Sequence, residues 1–119
     1  IACCQKLISD FGGEVPKTMD ELLTLPGVGR KTANLVLGDS FGIPGIVVDT
    51  HAGRLARRMG FTENTDPYRI ELDLLKIVPS ENQSSFCHRL VYHGRKYCTA
   101  RKALCDECPI NHLCPKIGV

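Results

Sequence analysis

The chain has no tryptophan, and its aromatic side chains are three tyrosines and four phenylalanines scattered through 119 residues. That is too sparse for a platform on which successive bases could stack. Nothing approaches the run of about 20 apolar residues that a membrane-spanning helix needs, and no charged, apolar, small-residue signal sequence opens the chain. The expectation is a soluble, intracellular protein with no membrane partner. Period-two alternation hardly extends beyond residues 46–48, so no sheet is predicted, and internal repeats and low-complexity tracts are missing. A secreted disulfide scaffold is disfavoured although there are seven cysteines. Four are bunched near the end, and Cys3, Cys4 and Cys87 leave an odd remainder, which fits a reducing compartment better.

What is present is the punctuation of short helices. Cys4, Leu7, Ile8 and Phe11 recur at helical spacing before Gly12 and Gly13. Thr18 and Glu21 form a capping box for a short helix to about residue 24. Residues 30–41 place Ala33, Val36 and Leu37 on one face, with Gly42 as terminator. A helix after Asp49 and Thr50 carries Leu55, Ala56 and Met59 inward and stops at Gly60. Asp66 and Pro67 start another, with Ile70, Leu74 and Ile77 as the buried stripe and Pro79 as its end. Residues 82–97 make the last helix. The fold class is all-α, with a boundary near residues 60–66 that separates 1–60 from 61–119.

Residues 25–51, LPGVGRKTANLVLGDSFGIPGIVVDTH, carry the chemistry. Pro26 fixes one backbone angle, and Gly27 and Gly29 permit positive φ or close approach of another backbone, so Leu25, Pro26, Gly27, Val28 and Gly29 read as a tight hairpin between two helices. The amides of the hairpin and of the following helix start, at Arg30, make a seat for a phosphate oxygen. Lys31 lies in the first turn, where the helix dipole and Arg30 disfavour a charged amine, the condition for a lysine nucleophile. The plainer alternative is a lysine binding phosphate as a point charge. Asp49, eighteen positions on, can cap the next helix, face the site, or do both. His51 reads as structural or as orienting Asp49. Asp39, in the hinge after the hairpin helix, has no assigned role.

Cys98, Cys105, Cys108 and Cys114 follow C-x6-C-x2-C-x5-C, four soft ligands in one loop. Spacing alone leaves tetrahedral zinc and an iron-sulfur cluster both open. Cys3, Cys4 and Cys87 read as small apolar core residues. Positive charge is segregated. Between residues 26 and 60, five cations, Arg30, Lys31, Arg54, Arg57 and Arg58, face only Asp39 and Asp49. From Cys87 onward six cations, Arg101 and Lys102 among them, face two carboxylates. Cations concentrated in the two motif-bearing segments are the footprint expected of a nucleic-acid binder.

The LPGVGRKTAN and VDTH segments, together with the cysteine spacing, closely resemble the endonuclease III family of helix-hairpin-helix DNA glycosylases, and the resemblance runs through essentially the whole chain. It implies the C-terminal half of that fold, with residues 1–60 in the catalytic lobe and 61–119 in a cluster-bearing lobe. It implies a [4Fe-4S] cluster on Cys98, Cys105, Cys108 and Cys114, Lys31 as the nucleophile that forms a Schiff base with the sugar, and Asp49 as the essential carboxylate. DNA contacts are then expected from residues 25–30 and from Arg101 and Lys102. The implied activity is excision of oxidised pyrimidines from double-stranded DNA followed by strand cleavage at the abasic site, by a monomer. The setting would be the cytoplasm or nucleoid of a prokaryote, or the nucleus or mitochondria of a eukaryote. The side chain that fills the gap left by the extruded base is expected upstream of Ile1. A non-catalytic hairpin module and a mismatch-directed relative are the alternatives.

Overall fold

A computed structural model describes residues 1–119. Six α-helices follow one another: α1 (Ala2–Phe11), α2 (Met19–Leu23), α3 (Arg30–Phe41), α4 (Thr50–Arg58), α5 (Pro67–Ile77) and α6 (Gln83–Lys96). Short 3-10 turns occupy Ser80–Asn82 and Cys105–Glu107, and a lone antiparallel bridge joins Cys98 to Ala103. No helix is long and apolar enough to cross a membrane.

Local chemistry sets the boundaries. Thr18 Oγ1 accepts from the Glu21 amide at 3.3 Å and donates to Glu21 Oε1 at 2.7 Å, closing the start of α2. Asp66 accepts from the Arg69 amide at 3.1 Å, and Pro67 occupies the first turn of α5, where its missing N–H costs nothing. Gly42 ends α3 in the left-handed region at φ 66°.

Two groups of apolar side chains hold the helices. Leu22, Leu25, Ala33 and Leu37 are buried where α2 meets α3, with Leu7 and Phe11 of α1 against them. Ile46, Val48, Ala56, Ile70, Leu74, Val78 and Cys87 join the strand-like segment before α4 to α5 and α6. The second group spans residue 60, so packing continues across that position. α4 crosses α6 closely because residue 94 is glycine: a Cβ there would stand 3.2 Å from both His51 Cβ and Leu55 Cδ1.

Two expectations, for Ile77 and for Cys4, are corrected. Ile77 is 52% exposed, and Val78 is buried instead, because the helix ends at Ile77 and the extended backbone of Val78 swings its side chain inward. α1 buries no residue fully; Ile8 is 70% exposed, and only its Cys3, Leu7 and Phe11 edge makes contact. Cys4 is exposed rather than a core residue, whereas Cys87 is buried and its Sγ accepts from the Val47 amide at 3.2 Å.

Candidate functional site

The hairpin forms as its sequence demands. The Val28 amide closes the turn onto Leu25 O at 3.2 Å, and Gly27 takes φ 79°, a region that only glycine enters freely. Leu25 is buried beneath the turn and Val28 packs on the same cluster, so these two anchor the hairpin while Pro26 and Gly27 are exposed. Gly29 is different: its backbone is extended, and nothing lies within 4 Å of where its Cβ would be. No intramolecular contact therefore demands a glycine at 29, and its bare face is open to something outside the chain. The α3 N-terminus that follows has no side-chain cap, so its first amides remain available as donors.

Lys31 projects from this first turn, exposed, and lines two adjoining pockets that Asp49 also lines. One is walled by α3, the segment before α4, and α6; it holds about 530 Å³ of empty space, part of it open to solvent. Asp49 performs both roles open to it. Its Oδ1 caps α4 by accepting from the Ala52 amide at 2.7 Å, while the carboxylate, 17% exposed, still faces the pocket. His51 Nδ1 lies 3.4 Å from Asp49 Oδ2 but out of hydrogen-bond alignment, and this buried nitrogen has no other partner.

Arg30 points elsewhere than a phosphate-gripping residue would. Its guanidinium takes both oxygens of buried Glu71 in a forked pair and lies over the Tyr68 ring at 4.7 Å. The hydrogen bond to Glu71 pushes the Arg30 pKa above its ordinary value. Asn34 completes this junction, donating to Glu71 Oε1 at 3.0 Å and to Ile46 O at 2.9 Å. The hairpin helix is thus tied to α5 and to the segment leading to Asp49.

The four loop cysteines, all half-buried, line one pocket with about 380 Å³ of empty space. As they stand, no three His, Cys, Asp or Glu side chains are grouped to hold a metal. Cations from α4 hold the rim of the pocket. Arg58 donates to Cys98 Sγ at 3.1 Å and to Thr99 O at 2.9 Å, and Arg54 donates to Cys98 O at 2.9 and 3.0 Å. Burial first, and the neighbouring Arg58 charge second, lower the Arg54 pKa. His93 Nε2 approaches Cys108 Sγ at 3.4 Å, and burial lowers the His93 pKa. Four thiols on a mostly apolar pocket, with a guanidinium on one sulfur, fit an anionic thiolate-held cluster. Arg101 and Lys102 stand exposed at the tip of the loop, which Thr99 Oγ1 fixes by donating to Lys102 O at 2.6 Å.

The fold therefore brings Lys31 and Asp49 together, collects the four cysteines and leaves Arg101 and Lys102 free. Arg30, Arg54 and Arg58, counted by sequence with the nucleic-acid footprint, are engaged internally. Sequence reasoning missed the Arg30–Glu71–Asn34 junction and the α6 wall of the pocket. The one available signal was Asn34, a polar residue on the apolar face of α3.

Residues 10–38 match the family model "Helix-hairpin-helix motif". The chain is 56% identical over 113 residues to Endonuclease III of Synechocystis sp., an alignment that covers 94% of this chain and 52% of the relative. Among solved structures, a trapped Endonuclease III–DNA covalent intermediate superimposes with TM-score 0.91 at 45% identity, covering 97% of this chain and 55% of that one. A thermostable thymine-DNA glycosylase superimposes with TM-score 0.85 at 29% identity, covering 97% and 55%. The chain spans about half the length of the curated relatives it matches.

Proposed function

We propose that this chain, homologous along its length to the C-terminal part of Endonuclease III, carries the chemistry of a base excision repair DNA glycosylase with abasic-site lyase activity. Its substrate would be an oxidised pyrimidine in double-stranded DNA. The observation that carries this reading is the placement of Lys31 and Asp49 on the same pockets, beside an uncapped helix start and a bare glycine face.

That placement supports the following steps. The hairpin amides and the α3 dipole seat a backbone phosphate next to the pocket. The Lys31 amine, relieved of its proton, attacks the sugar C1′; the C1′–N bond breaks, and its electron pair leaves with the base. Asp49 stabilises the positive charge that develops on the sugar and accepts protons from the lysine. Opening of the sugar ring gives an imine between Lys31 and C1′. Loss of a C2′ proton then expels the 3′ phosphate, which cleaves the strand. Capture of the similar Endonuclease III as a covalent intermediate with DNA supports a covalent protein–DNA step.

Cys98, Cys105, Cys108 and Cys114 would hold a [4Fe-4S] cluster, which would supply a structural crosslink for the loop that presents Arg101 and Lys102. The assignment of residues 1–60 to catalysis and 61–119 to the cluster is a functional division, since the packing runs through it. The likeness to a thymine-DNA glycosylase favours one second reading, the same chemistry directed at a mismatched base. Duplexes carrying an oxidised pyrimidine, a thymine mismatch or a preformed abasic site separate these. Release of the oxidised base with strand cleavage is expected; release from the mismatch alone would select the second reading, and binding without either would leave a non-catalytic module.

A further inference from the structure

The pocket lined by Lys31 and Asp49 is also lined by polar side chains that the proposed chemistry does not use. Asp39, which lies in the last turn of α3 rather than in a hinge after it, and His88, on α6, both line it, together with Asn34 and Ser84. His88 Nε2 meets Asp39 Oδ1 at 3.1 Å, although the two residues are 49 positions apart in sequence. Both side chains are substantially exposed, 62% for His88 and 46% for Asp39. An exposed pair of this kind contributes little to stability, so its place in the pocket that Lys31 also lines calls for another account.

A carboxylate on the wall of a DNA-facing pocket repels phosphate and accepts only hydrogen-bond donors. With Oδ1 held by His88, Asp39 keeps Oδ2 as an acceptor. A base extruded from the duplex is read by hydrogen bonds to its pairing edge, and a thymine- or uracil-derived ring presents one donor there, the N3–H. We propose that Asp39 reads this N–H, with His88 as the residue that positions the carboxylate. Asp39 is then a specificity-determining residue for oxidised thymine- and uracil-type bases. The assignment rests on the glycosylase reading above and names the substrate edge that its pocket recognises.

The test uses this chain joined to the upstream segment that the resemblance implies, and three duplexes: one with an oxidised thymine, one with the same lesion methylated at N3, and one with a preformed abasic site. The unaltered protein should release the N–H lesion at least tenfold faster than its N3-methyl counterpart, and Asp39→Ala should erase most of that difference. His88→Ala should weaken the discrimination, and His88→Gln, which keeps a donor, should largely restore it. Discrimination that persists undiminished in Asp39→Ala overturns the proposal, as does its absence from the unaltered protein. If the unaltered protein fails even to cleave the abasic duplex, the glycosylase–lyase reading itself has failed, a result distinguishable from the other two.

Discussion

Arg30 follows two cues in the sequence and answers to a third that the sequence hides. It sits at a helix start and beside a hairpin, both of which point toward phosphate, yet its guanidinium is committed to Glu71, 41 positions away. Glu71 is buried, and a buried carboxylate that loses its cationic partner costs the fold its desolvation. Arg30→Ala is therefore expected to destabilise the protein by about 1–3 kcal/mol, read as a lower midpoint in thermal or urea unfolding. A residue serving DNA alone would leave that midpoint unchanged. Gly45 belongs to the same junction: a Cβ there would stand 2.8 Å from Asn34 Oδ1, whose amide is already fixed by two hydrogen bonds. The positions of Lys31 in the first turn of α3 and of Asp49 as the cap of α4 were legible because their neighbours are local, a hairpin before one and a helix start after the other. Arg30 was not, because its partner is distant in sequence.

At the scale of elements, helix starts were legible and helix faces less so. Thr18, Asp49 and Asp66 cap as their residue types predict, since a cap is a contact within three residues. Ile77 was misplaced because a periodic pattern does not mark where the helix gives way to extended chain. The crossing of α4 over α6 depends on Gly94, and Gly94→Ala should cost about 1–3 kcal/mol as the helices are forced apart, measured by thermal unfolding. The loop before α5 has a pH signature. Thr62 and Asn64 each donate to Asp73 Oδ2 at 2.6 Å, and these bonds, Thr62 first, lower the Asp73 pKa. A carboxylate lowered in the folded state stabilises it above the unfolded value near 3.8, and that contribution fades as pH falls further. Asp73→Asn should therefore narrow the stability difference between neutral pH and pH values below that range. An unaltered acid profile would contradict the account.

For the molecule as a whole, the two cationic segments serve two ends. Arg30, Arg54 and Arg58 hold the hairpin helix and the cysteine loop from within, while Lys31, Arg101 and Lys102 remain exposed. Composition placed all of them in one footprint because charge counting cannot see which guanidinium has a carbonyl or sulfur in reach. Replacing Arg101 and Lys102 by alanine together should lower the slope of log K against log salt by about 2 in DNA binding, since each phosphate contact contributes roughly 0.9. Arg54→Ala should leave that slope in place and lower the melting temperature instead. A slope that ignores the loop pair would remove it from the interface. The chain is elongated, 53 × 28 × 22 Å with a radius of gyration of 16.3 Å, against about 13–14 Å for a compact domain of this length. Its hairpin and its cysteine loop are thus parts of one extended helical frame.

The central claim is that Lys31 forms a covalent bond to the sugar, and borohydride reduction on abasic DNA tests it most directly. The protein should become irreversibly joined to the DNA strand, with the added mass located on the peptide that contains Lys31. Lys31→Gln should abolish the adduct while weaker, salt-sensitive DNA binding persists. An adduct of unchanged yield in Lys31→Gln, or one located on another residue, would contradict the account.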